Sequence, residues 1–267
     1  MQQHVRLHRS AAEGSLSELV RWFWAVDFDI PGDEVFVQPV LSHPGANLSI
    51  GPSRTRLAVP DRIEATVVGV VTTLDERHLS GTGWNVAATL RPGALGAFLP
   101  GSAAELTDHI VPMRELLDLD AATLERDAIA AAPDVTAQFA VLADSLRGLI
   151  ERAAERRVAV ACEMARIGTL AETDRSIRSA AELATIAGVS LRTLQRQFRE
   201  YAGVSPLWVI RRYRLIEAAD AARAGRLPSW ADLAAELGYS DQAHLVRDFT
   251  ATLGIPPARY AASVTPL

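Results

Sequence analysis

The sequence predicts an α+β chain of two domains. Residues 1–172 form a small β-barrel or sandwich with flanking helices, and residues 173–267 form an all-α domain in which two paired-helix units are joined by a linker helix. Three observations predict this. β-Branched runs punctuated by Gly/Pro turns fill residues 35–99, helical periodicity takes over from about Ala103, and a segment near the end is written twice. A length of 267 residues also exceeds the usual single-domain size.

In the front domain an aromatic cluster, Trp22, Phe23, Trp24 and Phe28, precedes strand-like runs at Val35–Gln38, Asn47–Ile50, Thr66–Val71 and Trp84–Leu90. Turn signals separate them: Pro31-Gly32-Asp33, His43-Pro44-Gly45, Gly51-Pro52 and Gly81-Thr82-Gly83. The last lacks the third glycine and the βαβ setting of a dinucleotide fingerprint and reads as a hairpin turn. From Ala103 helices dominate: short ones around Ala104–Leu106 and Met113–Leu117, a longer one from Leu119 to Ala131, and an amphipathic run from Val135 to about Gly168. That run carries Phe139, Leu142, Leu146, Leu149 and Ile150 on one stripe, suited to packing on the sheet or on a second copy. The polar stretch Glu172–Ser176 marks the boundary between the domains.

Charge divides at the same place. Residues 1–172 hold 15 Arg against 23 Asp and Glu, a net of −8, whereas residues 173–267 hold 12 against 9, a net of +3. The overall −5 would argue against a nucleic-acid partner if it were evenly spread. The split removes that objection, because the field that matters belongs to the domain at the duplex. All 27 basic residues are Arg, which reads mainly as genomic base-composition bias, although Arg also suits forked phosphate and base contacts. The single cysteine, Cys162, excludes an intrachain disulfide and reads as a small helical hydrophobe rather than a redox sensor, which fits a reducing compartment. No apolar run approaches about 18 residues and no signal-peptide core opens the chain, so the expectation is a cytoplasmic protein without a membrane partner.

The repeat carries the functional reading. Ala181, Leu183, Ala184 and Gly188 recur 50 residues later as Ala231, Leu233, Ala234 and Gly238, and Leu194, Phe198, Gly203 and Pro206 recur at an offset of 51 as Leu245, Phe249, Gly254 and Pro257. A short helix, a Gly turn and a second helix outline a helix-turn-helix, in which one helix buttresses another that enters a major groove. In the first unit Ser190 stands at an N-cap position. Leu191, Leu194, Phe198 and Tyr201 form the expected buried stripe, which leaves Arg192, Thr193, Gln195, Arg196 and Arg199 for the DNA side. Arg forks onto guanine and Gln onto adenine, each pairing discriminating by about 1–3 kcal/mol. In the second unit Leu245 and Phe249 take the core positions and Gln242, Ala243, Val246 and Arg247 face outward, a set with fewer forked donors and a more tolerant reading. His244 reads as packed or phosphate-facing. Ser205-Pro206 opens a linker helix running to about Gly225, with Arg211, Arg212 and Arg214 adding positive charge and Arg214 a DNA contact. About 18 residues of helix span roughly 27 Å, against about 34 Å between neighbouring major-groove faces on one side of a duplex.

These residues resemble the DNA-binding domain of the AraC family of transcriptional regulators. The resemblance covers Ser176 to Ala262. Its motifs are Gly188-Val189-Ser190 with Leu194-Gln195-Arg196 and Phe198, Gly203-Val204-Ser205-Pro206, Gly238-Tyr239-Ser240-Asp241-Gln242, Phe249, and Gly254-Ile255-Pro256-Pro257 with Tyr260. Thr250 and Ala261 stand where the family commonly has basic residues, which weakens the backbone contacts expected of the second half. More loosely, the front half resembles the cupin-like sensor domains that precede such DNA-binding domains. Trp22-Phe23-Trp24, the Pro44–Leu48 segment and the Arg91–Ala94 turn leading to Ala103–Asp108 carry that likeness.

The resemblance implies a sequence-specific regulator with double-stranded DNA as partner. It also implies control by a small effector or by homodimerisation through the front domain, and contact with RNA polymerase if the protein activates. The alternative is a ligand-independent architectural or adaptor protein. Trp22, Trp24, Trp84 and Arg91 are the candidate effector contacts, since barrel mouths commonly bind ligands. His4, His8, His43, His78 and His109 do not fall in a metal-binding cupin pattern, so no metal or other cofactor is expected. No serine elbow, Cys/His pair or clustered carboxylates mark a catalytic residue, and no enzyme activity is expected.

Overall fold

The computed structural model describes residues 4–32, 34–52, 63–116, 127–223 and 229–263. Among the described residues, eight strands build the front domain: β1 (Val5–Ala11), β2 (Val20–Ile30), β3 (Phe36–Val40), β4 (Asn47–Pro52), β5 (Ile63–Val68), β6 (Asp75–Leu79), β7 (Gly81–Leu90) and β8 (Ile110–Pro112). Six of them form an antiparallel sheet in the order β1-β2-β7-β4-β5-β8, and β3 pairs with β6 in a second sheet. The four strand-like runs of the sequence correspond to β3, β4, β5 and β7. Gly81 opens β7, and β7 pairs with β2 and β4 rather than with β6, so the Gly81–Gly83 segment is not a hairpin turn but the start of a central strand. Gly83 is needed there because the Phe28 ring lies where a Cβ would stand.

The alternation of strand side chains decides what faces what. A register shift between Val20 and Trp22 resets β2. Phe23 and Ala25 then point to the helical side, where Phe23 meets Phe139 with ring centroids 5.9 Å apart, while Trp22, Trp24 and Val26 point the other way. On β7 the same parity puts Val86, Ala88 and Leu90 in the core.

Helices follow as α1 (Val135–Arg152), α2 (Glu155–Thr173), α3 (Ala180–Ala187), α4 (Leu191–Ala202), α5 (Pro206–Arg223), α6 (Trp230–Glu236), α7 (Gln242–Leu253) and α8 (Pro257–Ser263). The long run after Val135 is two helices, because Ala153 and Ala154 are extended and end α1. Asp134 caps α1 through the Ala137 N–H. The segments at Ala103–Leu106 and Met113–Glu115 are single 3-10 turns, and most of the helix expected over 119–131 lies outside the described residues.

Two cores result. One runs without interruption from Leu16, Phe23, Leu48 and Leu90 through Leu95, Phe98 and Leu106 to Met164 and Ile167, and on into Leu183, Leu194, Phe198, Tyr201 and Ile210. The other holds Leu215, Ala219, Leu233, Leu245, Phe249, Leu253 and Tyr260, with Leu41 and Leu74 of the front domain packed against it. The first helix-turn-helix unit therefore shares its interior with the front domain, and the second has an interior of its own.

Candidate nucleic-acid interface and adjoining cavity

Both repeat copies fold as paired helices with matching caps. Ser179 caps α3 in a capping box with Glu182, whose carboxyl is held below its usual range chiefly by the Arg178 backbone N–H. Ser190 accepts from the Thr193 N–H at 3.1 Å and starts α4. In the second copy Ser229 accepts from the Asp232 N–H at 3.0 Å, and Asp241 accepts from the His244 N–H at 2.7 Å. Gly188 and Gly238 turn the chain between helices at φ +69° and +81°, a region costly for any residue with a Cβ.

On α4 the side chains of Leu194 and Phe198 are buried, while Ser190, Arg192, Gln195, Arg196 and Arg199 are exposed and Thr193 is half-buried. On α7 Gln242, Ala243 and Arg247 are exposed and Val246 is half-buried over buried Leu245 and Phe249. Each copy thus presents the polar face expected of it. Arg196 lies 3.6 Å from Glu200, which also faces Arg157 at 3.8 Å. Surface pairs of this kind are worth about 0–1 kcal/mol and release readily. His244 is half-buried, edge-on to Tyr239 at 5.1 Å, and its Nδ1 meets the Ser240 hydroxyl at 3.1 Å, so it is a packed residue. Tyr239 donates to Asp248 at 2.9 Å and clasps the turn to α7.

Two expectations for this surface are corrected. Leu191 is 40% exposed rather than part of the buried stripe. Arg214 is buried. It donates to the carbonyls of Asp174 at 2.9 Å and Ala171 at 3.3 Å and to Glu217 at 3.2 Å, pinning the linker helix to the end of α2 instead of facing DNA. Arg212 is buried too, 1% exposed, donating to the Val71 carbonyl at 2.6 Å with its guanidinium stacked on Trp208. Burial brings its pKa down to about 10. Of Arg211, Arg212 and Arg214, Arg211 is exposed.

Behind the helices lies a cavity of about 320 Å³. One wall comes from the large sheet (Leu7, Arg9, Trp22, Trp24, Thr89), a second from the small sheet (Phe36, Gln38, Arg77) and a third from the helical half: Ile216, Ala219 and Asp220 of the linker helix with Tyr260. Trp24 Nε1 donates to Thr89 Oγ1 at 3.1 Å, and that hydroxyl donates to Asn47 at 2.7 Å. The Arg9 and Arg21 guanidiniums lie over the Trp22 ring, 5.1 and 4.4 Å from its centroid, and the His43 and Trp22 rings meet edge-on at 4.8 Å. Burial above all, then the charge of Arg21, pushes the His43 pKa down to about 3, and its Nδ1 has no hydrogen-bond partner among the described residues.

Of the four expected effector contacts, Trp22 and Trp24 line this cavity and Trp84 and Arg91 do not. Trp84 has the parity of Val86 and packs on the opposite side of β7. Arg91 donates to the Ser17 carbonyl at 2.9 Å and to Thr169 at 3.1 Å, a clamp between the strand end and α2. Sequence reasoning missed His43 and Tyr260 as cavity walls, because His43-Pro44-Gly45 was legible only as a turn and Tyr260 only as part of a closing motif. Among the described residues no three His, Cys, Asp or Glu side chains are grouped to hold a metal, and no helix is long and apolar enough to cross a membrane.

Comparison with known proteins agrees with this geometry. Residues 183–263 match the family model described as a helix-turn-helix domain, and residues 8–112 match one described as a domain of unknown function (DUF6597). No curated protein matches. Among solved structures, the C-terminal domain of AraT, a response regulator from Geobacillus stearothermophilus, is 21% identical over 38% of this chain and 85% of its own, with a TM-score of 0.35. An AraC-type transcriptional regulator from Chromobacterium violaceum is 24% identical over 38% of this chain and 89% of its own, with a TM-score of 0.34. ToxT from Vibrio cholerae O395 is 11% identical over 98% of both chains, with a TM-score of 0.44. Residues 183–263 form a helix-turn-helix domain behind a β-rich front domain. Helix-turn-helix domains dock their second helix in the major groove of DNA.

Proposed function

We propose that α4 and α7 enter adjacent major grooves and that a small effector in the 320 Å³ cavity modulates this binding. The observation that carries the first half is the outward placement of Arg192, Gln195 and Arg196 on α4 and of Gln242 and Arg247 on α7, each over a buried hydrophobic row. Arg196 and Arg247 fork onto guanine, Gln195 and Gln242 onto adenine, while Ser190, Thr193 and Arg199 approach phosphates. The second half rests on the cavity's shared walls, since an occupant touching Trp22 and Trp24 also touches the linker helix and Tyr260. Its lining mixes apolar side chains with polar and charged ones, Arg9, Arg77 and Asp220 among them, which suits a small amphipathic molecule. In this reading residues 1–172 sense and residues 173–267 bind, in the cytoplasm and without catalysis. A second copy joins through the front domain, and RNA polymerase is contacted where the protein activates.

The test is selection of duplexes from a random pool by the full chain, followed by footprinting with Arg196→Ala and Arg247→Ala beside wild type. Each variant is expected to lose base preference at one position and about 1–3 kcal/mol of affinity. Wild-type affinity and preference in both would defeat the readout. A log–log salt slope near zero would show that no phosphate is neutralised.

A further inference from the structure

We infer that Leu191 is a specificity residue that reads the C5-methyl group of a thymine in the major groove. This rests on the assignment of α4 as a recognition helix. Leu191 is the first residue of α4, directly after the Ser190 cap, and N-terminal residues of a recognition helix are those that reach base edges. Its side chain is 40% exposed although Leu194 and Phe198 on the same helix are fully buried, so the first unit has no interior place for it. Side chains four apart on a helix are neighbours, which makes Leu191, Gln195 and Arg199 one row along the outer face. Arg192 and Arg196 form the next row, and every other member of this surface is polar or cationic.

An exposed leucine among such residues can make no hydrogen bond to a base edge, and the apolar group a duplex displays in its major groove is the thymine methyl. The arginines around it match phosphates and disfavour an apolar protein partner at the same spot. With Gln195 placed to take an adenine, the row specifies an adenine and a thymine on neighbouring base pairs.

The experiment uses the full chain and its selected duplex, with each thymine of the footprint replaced in turn by deoxyuridine, which removes only the methyl. At one position wild type is expected to bind about fourfold more weakly, the worth of one methyl-sized group moved out of water. In Leu191→Ala the same replacement is expected to change binding by less than 1.5-fold, a non-additivity that marks direct contact at the level of about one contact pair. Ile186→Ala, which trims another exposed apolar side chain on α3, is expected to keep the wild-type methyl sensitivity. Indifference to every methyl in wild type, or a sensitivity that survives in Leu191→Ala, overturns the assignment while leaving DNA binding intact. Failure of wild type to select any duplex overturns the recognition-helix reading itself, and this inference with it.

Discussion

Leu194 and Phe198 of the first helix-turn-helix unit occupy the places that Leu245 and Phe249 take in the second, yet the two pairs sit in different interiors. The first pair belongs to a core that continues through Leu95, Phe98 and Leu106 into the front sheet. Thr107 also donates to the Gly203 carbonyl at 2.9 Å, and Arg157 donates to the Gly96 and Gly101 carbonyls. The second pair is closed within its own unit, which meets the front domain at Leu41, Leu74 and a cavity. Arg175 adds ion pairs to Glu217 and Glu236. One repeat has produced one unit built into the front domain and one hung from it. A shared interior resists displacement, whereas a contact interrupted by a cavity yields at lower cost.

The largest test of this contrast is core deletion. Phe198→Ala and Phe249→Ala are each expected to cost about 3–5 kcal/mol. In urea, Phe198→Ala should lower the main transition, and Phe249→Ala should detach an earlier one reported by Trp230, which packs on the second core. A single shared transition in Phe249→Ala would erase the distinction. Next in size is an acid effect confined to the larger body. His43 stays neutral when folded, with a pKa of about 3, and titrates near 6.5 when unfolded, so stability falls as pH drops from 6.5 towards 3. At pH 5 the loss is about 2 kcal/mol, and His43→Gln should flatten that slope in a pH series of unfolding midpoints.

Smaller effects separate the two turns. Tyr239 and Asp248 correspond to Val189 and Gln197, so the second unit has a clasp that the first lacks. Tyr239→Phe should lower second-unit stability by about 1 kcal/mol, read by hydrogen exchange on α7, and leave α4 unchanged. The smallest involves the caps. Ser190 is neutral, but Asp241 caps α7 with a carboxylate whose pKa is lowered, chiefly by the His244 backbone N–H. Its contribution is present above the ordinary carboxylate range and is lost as pH falls through the depressed value. Asp241→Ser should remove that acid dependence from α7 exchange rates, and α4 should show none in either protein.

Much of this was legible from residues alone. A repeat of eight matching positions places four helices, because cap, Gly turn and hydrophobic row are local rules that each copy obeys. What failed was whatever depended on distant partners. Arg214 reads as a surface charge until Ala171 and Asp174 offer it carbonyls from 40 or more positions away. Leu191 fits the hydrophobic period by spacing, but burial depends on what packs above the first turn. β6, with the polar run Asp75-Glu76-Arg77-His78, lacks the apolar alternation that marks a strand, and β1 shows it only as Val5, Leu7 and Ala11 on one parity, broken by Arg9. Trp84 and Trp24 are indistinguishable as tryptophans. Only the pairing of Asp27 with Trp84 and of Trp24 with Ala87 shows that they look in opposite directions.

Tyr260 and Ile216 belong to the body that would grip an operator, and Trp22 and Trp24 to the body that would meet a metabolite, yet all four border one void. Occupancy of that void and grip on the operator are then linked quantities. Whatever factor an occupant imposes on operator affinity, the operator must impose on the occupant's affinity in return. Titrating either one in the presence of the other gives the same number, and a molecule with equal affinity for the free and the operator-bound protein gives a factor of one.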